Sequence, residues 1–359
     1  MIGHDASDAA LAKRVRQMRA EGHETRLASF TRAGRPSRLP PGTLDIGTTA
    51  DGDVRQRLAA VARAARHLSR LDWVRQGEVC WARNLDAALA AVAAGAGGRG
   101  SPPLVYECLD VHDLLSGEGL AAFAARTLER RVVGRAARIV VSAPAFETEH
   151  FARRYGRRGL DLIENRVAAS GPRPAPVPRA DRPLTIGWFG ILRCQRSLDL
   201  LLAAVTEGRG RLRLALRGQP ADVALPRFAE QVAACPHAAY DGPYAPEDLG
   251  ALYAGADLAW AGDWSQTGAN SRWLLPNRLY EAGWHGVPVI APHGTATAAW
   301  AAAHGTGLVC AEEPVPADLA ATLLRTDLPA LRAAVAAAPD ALFAAPPGEV
   351  TRVLERARC

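Results

Sequence analysis

A glycine–arginine turn within residues 186–197 has the residue types of an anion-binding site. The segment reads IGWFGILRCQRS, an apolar run that passes through Gly190 into a helical pattern. Gly190 would let the backbone approach a phosphate, and the helix amides, Arg193 and Arg196 would donate hydrogen bonds to it. An ordinary strand-to-helix turn with solvated arginines also explains these residues. Neither a Walker loop nor a GxGxxG fingerprint is present within residues 186–197.

A second polar segment, residues 270–290, reads NSRWLLPNRLYEAGWHGVPVI. Its part 277–285 has the pattern of a helix, and Glu281 falls within the first turns of that helix. A carboxylate in this place can accept hydrogen bonds from both hydroxyls of a ribose. Glu281 is therefore a candidate for holding a nucleoside.

Two further pairs combine a carboxylate with an imidazole. Asp110 and His112 follow the apolar run 104–109, and their i, i+2 spacing on an extended segment points both side chains the same way. Such a pair can take the proton of an attacking hydroxyl, although both residues could instead cap the next helix. His4 and Asp5 form a similar pair, with a structural role as the alternative.

The run EAGWHGVPVI at 281–290 resembles the E-A-x-A-x-G-x-P-V signature of GT-B glycosyltransferases of family 4. Residues 241–257 resemble the segment of that family that contacts the nucleotide base, and the Gly190 turn resembles its diphosphate-binding turn. With GHDASD at 3–8 and YECLDVH at 106–112, the sequence is most similar to the bacterial exopolysaccharide branch of the succinoglycan-biosynthesis type.

The resemblance implies a metal-independent hexosyltransferase that moves a sugar from a nucleotide-diphosphate donor, a UDP-sugar, to a saccharide acceptor carried on a polyprenyl diphosphate. The expected nucleotide-diphosphate contacts are Gly190, Arg193, Arg196, Tyr244 and Glu281. The expected sugar or acceptor contacts are His4, Asp5, Asn270, Ser271, Asn277 and Arg278. Asp110 and His112 are the catalytic candidates. The nucleotide-sugar is a substrate, so no cofactor is expected.

The sequence departs from the family pattern at two positions. Trp273 occupies the place of a first glutamate that sits beside the transferred sugar, and the lysine that usually partners the loop arginine is absent, with Arg196 nearby. Both stereochemical outcomes therefore stay open. An inverting transfer needs a base such as Asp110. A retaining transfer would use the donor phosphate as base, and His112 would then hydrogen-bond the sugar.

Apolar runs and helical patterns alternate along the 359 residues, which predicts parallel sheets covered by helices. The pattern predicts strands at 104–109 and 184–189 and helices at 54–68 and 120–135. The expected fold class is α/β of the GT-B type, with two Rossmann-like lobes facing a central cleft. The expected divisions are an acceptor lobe at 1–170 that lacks its first strand, a proline-rich linker at 171–183, a nucleotide-sugar lobe at 184–338 and a C-terminal helix in 339–359 that packs back on the first lobe.

The amino-acid composition favours some classes of binding partner and argues against others. The six cysteines show no CxxC spacing, and Asp51-Gly52-Asp53 reads as a turn before a helix, so no metal site is expected. The net charge of +6 favours anionic partners such as a nucleotide diphosphate or an anionic membrane surface. Nucleic acid is not expected, because no basic run is interleaved with aromatic residues. Without an apolar run of ~18 residues or a signal peptide, a cytoplasmic protein peripheral to the inner membrane is expected.

Three other functions fit parts of the pattern. A UDP-sugar epimerase uses the same two-lobe fold. A non-catalytic sugar-nucleotide-binding protein would explain why Trp273 replaces the usual glutamate. A nicotinamide dehydrogenase is disfavoured because the turn at Gly190 lacks its glycine fingerprint.

Overall fold

The computed structural model describes residues 1–32, 37–49, 54–111, 113–169, 171–175, 182–266 and 270–359. They divide into two compact units. The first is Met1–Glu164 with Pro346–Cys359, and the second is Asn165–Ala345. Each unit contains one sheet.

The first unit is built on a parallel sheet of seven strands. The strands are β1 (Ile2–Gly3), β2 (Ala28–Arg32), β3 (Leu44–Thr49), β4 (Cys80–Arg83), β5 (Leu104–Cys108), β6 (Ala136–Val141) and β7 (Asp161–Leu162). Their order is β3-β2-β1-β4-β5-β6-β7. The helices up to Tyr155 are α1 (Ala9–Ala20), α2 (Val54–Leu68), α3 (Asp72–Gln76), α4 (Asn84–Ala93), α5 (Asp113–Ser116), α6 (Leu120–Arg135), a π-helix (Phe146–Ala152) and α7 (Arg153–Tyr155). Every residue of β5 is buried, as expected for a parallel strand covered on both faces.

The expectation that the first strand is missing is wrong. Ile2 pairs in parallel with Ala28 of β2 and with Ala82 of β4, so two residues complete the middle of the sheet. The Ile2 side chain is only 1% exposed. A very short strand is sufficient here because it is hydrogen-bonded on both sides and buried under α1.

A buried carboxylate joins three elements of the first unit. Glu107 of β5 accepts hydrogen bonds from Nε of Arg14 at 3.1 Å and from Nε1 of Trp81 at 2.7 Å, and Nη1 of Arg83 lies 3.7 Å away. All four side chains are buried. Burial raises the pKa of Glu107, but the two guanidinium groups outweigh it and hold the pKa below its ordinary value. An ionised carboxylate therefore pairs with two buried guanidinium groups and offsets part of their charge.

The second unit is built on a parallel sheet of six strands. The strands are β8 (Leu184–Leu192), β9 (Leu212–Pro220), β10 (Ala238–Tyr240), β11 (Leu258–Trp260), β12 (Val289–Pro292) and β13 (Gly307–Cys310), in the order β10-β9-β8-β11-β12-β13. The helices are α8 (Gln195–Glu207), α9 (Phe228–Ala233), α10 (Leu249–Ala254), α11 (Asn270–Trp273), α12 (Asn277–Trp284), α13 (Ala296–His304), α14 (Pro316–Arg325) and α15 (Leu328–Ala337). Single 3₁₀ turns occupy Pro246–Asp248 and Asp340–Leu342.

The chain returns to the first unit for its last helix, α16 (Glu349–Arg358). The apolar face of α16 carries Val350, Val353 and Leu354, which pack with Trp81 and Val105 of the first sheet. Among the described residues, no helix has both the length and the hydropathy that crossing a bilayer requires.

Part of the segment predicted as a linker is anchored on the second unit. The guanidinium of Arg173 donates to the carbonyls of Gly283, Trp284 and Val335 and lies 4.7 Å from the ring centroid of Phe343. One buried arginine thus satisfies carbonyls at the ends of two helices. Residues 176–181 of the same stretch lie outside the described residues.

Candidate functional site

Two glycines with positive φ shape the carboxyl end of β8. Gly190 (φ 112°) pairs with Gly218 (φ 125°) of β9. A Cβ on Gly218 would lie 1.9 Å from the carbonyl oxygen of Gly190, so only glycine fits there. Because the ladder continues to Leu192, Gly190 lies inside the strand and not in the turn that the sequence predicts. The hydroxyl of Tyr244 would lie 3.9 Å from a Cβ at Gly190, which places Tyr244 beside this backbone.

Arg193 occupies the turn between β8 and α8. Its Nε donates to Oδ2 of Asp263 at 3.0 Å, and Oδ1 of Asp263 accepts from the backbone N–H of Ser265 at 2.7 Å. Burial raises the pKa of the Asp263 carboxyl, but Arg193 and Ser265 outweigh it, and the pKa falls below its ordinary value. The terminal nitrogens of Arg193 have no hydrogen-bond partner within the described part of the chain. They can therefore bind an anion.

Arg196 lies in the first turn of α8, but its guanidinium already has partners. The guanidinium carbon is 4.3 Å from the ring centroid of Trp264, Nη2 donates to the carbonyl of Glu312 at 3.3 Å, and Nη2 lies 3.6 Å from the carboxylate of Glu313. Its assignment to the diphosphate stays a prediction.

Glu281 lies on α12, where the sequence predicts it, and is half-buried. The hydroxyl of Tyr253 donates to its Oε2 at 3.4 Å. Tyr253 is fully buried, stacked on His285 with ring centroids 5.4 Å apart. Burial, and then the charge of Glu281, raise the pKa of Tyr253, so the phenol stays protonated and acts as the donor. Burial also lowers the pKa of His285, and Arg173 lowers it further.

Asn277 and Arg278 form the start of α12, and Arg278 is one turn before Glu281 on the same face. Nη1 of Arg278 donates to the carbonyl of Trp260 at 3.4 Å. Oδ1 of Asn277 is buried and has no hydrogen-bond partner among the described residues. Both side chains therefore have polar atoms that a ligand at this end of the sheet could use.

Asn270 and Ser271 are the first residues of α11, and both contact Gln266. Nδ2 of Asn270 donates to Oε1 of Gln266 at 2.6 Å, and Oγ of Ser271 accepts from the backbone N–H of Gln266 at 2.9 Å. Both are buried. Trp273, at the position of the family's first glutamate, ends the same helix and is half-buried.

His4 and Asp5 follow β1 at the carboxyl edge of the first sheet. Asp5 is 6% exposed, accepts from the backbone N–H and hydroxyl of Ser7, and lies 2.8 Å from Nε of Arg32. Nε2 of His4 lies 3.6 Å from Asp8, and its Nδ1 is buried with no hydrogen-bond partner among the residues described. Asp5 thus fixes local structure, whereas His4 retains an unused ring nitrogen.

Asp110 lies two residues beyond the end of β5 and its side chain is exposed. Its carbonyl oxygen accepts a weak hydrogen bond from the thiol of Cys108 at 3.4 Å. His112 lies outside the described residues, as do Asp51, Gly52 and Asp53. In the ranges that the structure describes, no group of three or more His, Cys, Asp or Glu side chains could hold a metal ion.

Two residues of this site were not predicted from the sequence. Asp263 follows β11 at the same sheet edge as Arg193, so the rule that polar residues after parallel strands meet at one edge could have found it. Tyr253 falls within residues 241–257, which resemble the family's base-contacting segment, but its contact with Glu281 depends on how α10 and α12 pack.

No protein-family model matches the sequence. The chain is 38% identical over 323 residues to the succinoglycan biosynthesis protein ExoL of Rhizobium meliloti (strain 1021). The match covers 86% of this chain and 79% of that protein.

Two solved structures share the fold. HepE of Anabaena, solved with UDP and glucose, matches with a TM-score of 0.67 at 16% identity over 99% of this chain and 97% of HepE. Sucrose-phosphate synthase of Thermosynechococcus elongatus matches with a TM-score of 0.71 at 16% identity over 99% and 96% of the two chains. These matches confirm the predicted two-sheet α/β fold.

Proposed function

The chain belongs to the ExoL family of GT-B glycosyltransferases, and from that membership we propose that it transfers a hexose from a UDP-sugar to a lipid-linked saccharide in exopolysaccharide synthesis. The observation that supports the donor assignment is a chain of contacts between the end of β8 and α12: Phe189, next to Gly190, packs edge-on against Tyr253 with ring centroids 5.3 Å apart, and Tyr253 donates to Glu281. Open α/β sheets bind ligands at this edge. HepE, which has the same fold, was solved with UDP.

The site has groups that could bind the diphosphate and the ribose of a nucleoside diphosphate. The half-buried backbone at Gly190, the start of α8 and Arg193 suit the diphosphate. Glu281, oriented by Tyr253, suits the ribose hydroxyls. As the bond to the sugar breaks, negative charge grows on the leaving diphosphate, and fixed donors of this kind stabilise it without a metal ion.

We place acceptor chemistry on the first unit. Asp110 is exposed past the end of β5, and Nδ1 of His4 has no hydrogen-bond partner among the described residues. In an inverting transfer Asp110 takes the proton of the attacking hydroxyl. In a retaining transfer the donor phosphate takes it, and Asp110 is dispensable for turnover.

A lipid-linked acceptor requires contact with a bilayer, and α6 offers a suitable surface, which we call the α6 face. Leu120 and Phe123 at its start are 90% and 63% exposed, and Arg130, Arg131 and Arg135 further along are exposed on the same side. Apolar side chains can enter the headgroup layer while arginines bind anionic lipids, each contributing about 1 kcal/mol. We therefore propose that the protein acts at the cytoplasmic surface of the inner membrane.

The test is a transfer assay with the purified chain, a panel of UDP- and GDP-hexoses and a polyprenyl-diphosphate-linked saccharide acceptor. We expect free UDP to appear only when the acceptor is present, together with an acceptor that is one hexose larger. Interconversion of UDP-hexoses without acceptor would replace the proposal with an epimerase. Trp273 in place of the family glutamate favours a non-catalytic sugar-nucleotide-binding protein as the second candidate, which would bind a donor without turning over any acceptor.

A further inference from the structure

Arg278 is a cation without a carboxylate of its own. It is half-buried, and within the described part of the chain its guanidinium makes one hydrogen bond, to the carbonyl of Trp260, and no ion pair. Burial lowers the pKa of Arg278. The negative charge of Asp263 raises this pKa and the positive charge of Arg193 lowers it, so both charges are close enough to Arg278 to interact with it. A buried cation with so little compensation is costly unless an anion joins it.

The position of Arg278 matches the diphosphate end of the donor. The hydrogen bond from Arg278 to the carbonyl of Trp260, the last residue of β11, places the start of α12 at the carboxyl edge of the sheet, and β11 is paired with β8, the strand that carries Gly190. Arg278 is three residues before Glu281, which places it about 4.5 Å nearer that edge along the helix axis. If Glu281 holds the ribose, Arg278 lies on the phosphate side of it.

Arg196, the residue that the sequence suggests for this role, is differently placed. Its guanidinium covers Trp264 and interacts with the carbonyl of Glu312 and the carboxylate of Glu313. These contacts use Nη2 and one face of the guanidinium, and they hold Arg196 against Trp264 and residues 312–313; its Nε and Nη1 have no hydrogen-bond partner in the described part of the chain. Arg193, in contrast, is held by Asp263 through Nε alone, which leaves both terminal nitrogens to point at a ligand.

We propose that Arg278, rather than Arg196, is the second cation at the donor diphosphate, beside Arg193, with Asp263 as the residue that positions Arg193. This inference rests on the proposed function of the site. Together the three side chains carry one net positive charge, which suits a diphosphate that gains charge as its sugar leaves.

The experiment measures binding of UDP and of uridine by calorimetry for the full chain and four variants. Arg278→Gln is expected to weaken UDP binding roughly 10- to 100-fold, the loss typical of a charged hydrogen bond, and to leave uridine binding unchanged. Arg278→Lys keeps the charge and should recover part of the loss. Arg196→Gln should cost less than Arg278→Gln. Arg213→Gln, at the other end of β9, is a matched control.

The outcomes separate this inference from the proposed function. If the wild-type chain binds UDP and Arg278→Gln binds it equally well, the inference fails and the donor site stands. A larger loss for Arg196→Gln, or equal losses for UDP and uridine in Arg278→Gln, would also overturn it. If the wild-type chain binds no nucleoside diphosphate, the proposed function fails and the inference fails with it.

Discussion

Replacing Glu281 by Gln tests whether this residue holds the ribose. The side chain is half-buried, and its Oε2 accepts from the buried hydroxyl of Tyr253 at 3.4 Å, so the carboxylate is held in one orientation. A glutamine keeps the shape but removes the charge that strengthens hydrogen bonds from the two ribose hydroxyls. Loss of a charged hydrogen bond costs about 1.5–3 kcal/mol, which corresponds to a roughly 10- to 150-fold weaker UDP complex.

The assay compares UDP with 2′,3′-dideoxy-UDP by calorimetry in wild type and variant, which makes a double-mutant cycle between protein and ligand. Wild type should lose most of its affinity when the hydroxyls are removed, whereas Glu281→Gln should bind both nucleotides almost equally. Glu207→Gln, an exposed change at the far end of α8, controls for net charge.

A result in which Glu281→Gln weakens both nucleotides by the same factor would refute the ribose assignment. Glu281 would then act on the site indirectly, by holding Tyr253 and α12. A variant that binds both nucleotides as wild type does would remove Glu281 from the nucleotide site altogether.

Three further changes have defined outcomes. Glu107→Gln leaves two buried guanidinium groups without their ion-pair partner and should lower the free energy of unfolding by about 3–5 kcal/mol. Calorimetry should then show a melting temperature roughly 6–20 °C lower. The exposed Asp72→Asn, as a control, should change the melting temperature little. Because the folded pKa of Glu107 lies below its ordinary 4.5, its stabilisation is complete above pH 4.5 and is lost as the pH falls through the lower value, so wild type and variant should converge in acid. Asp110→Asn should lower turnover ~10²- to 10⁴-fold in an inverting enzyme while UDP affinity holds, and full turnover would make Asp110 structural. The chain should bind anionic vesicles at low salt and release them at high salt, and changing the exposed arginines of the α6 face to glutamine should abolish this; equal binding to neutral vesicles would contradict it.

Helices whose apolar residues recur at regular helical spacing could be predicted from the sequence. The helix predicted at 120–135 is α6, and the one at 54–68 is α2. Helix α1 is not among the predicted elements, although Leu11, Val15 and Met18 recur at helical spacing. Arg14 also lies among its buried residues, where it pairs with Glu107. Its partner is 93 residues away, so local pattern carries no sign of this pairing.

Strand ends were harder to predict than strand centres. The strand predicted at 184–189 runs on to Leu192, because Gly190 and Gly218 adopt positive φ together and keep β8 and β9 paired. A lone glycine in a sequence is read as a break. Its partner glycine on another strand becomes visible only in three dimensions.

Local sequence patterns indicate the backbone and charged groups of the proposed donor site, but not the residues that orient these groups. Gly190, Arg193 and Glu281 stand in recognisable local patterns. Asp263 and Tyr253, which hold Arg193 and Glu281, contact them only through tertiary packing. The partners of Arg196 also lie far along the chain, so the sequence carries no sign of its contacts with Trp264 and Glu313.

The first unit limits which carboxylate could act as a base. Near the carboxyl edge of its sheet, Glu107 is neutralised by Arg14 and Arg83, and Asp5 is buried against Arg32. A carboxylate held by a guanidinium is a poor base, because the cation stabilises its charged form. Asp110 is exposed, so its carboxylate can reach an incoming hydroxyl. With Trp273 supplying no carboxylate on the donor side, turnover of Asp110→Asn is the measurement that separates an inverting from a retaining transfer.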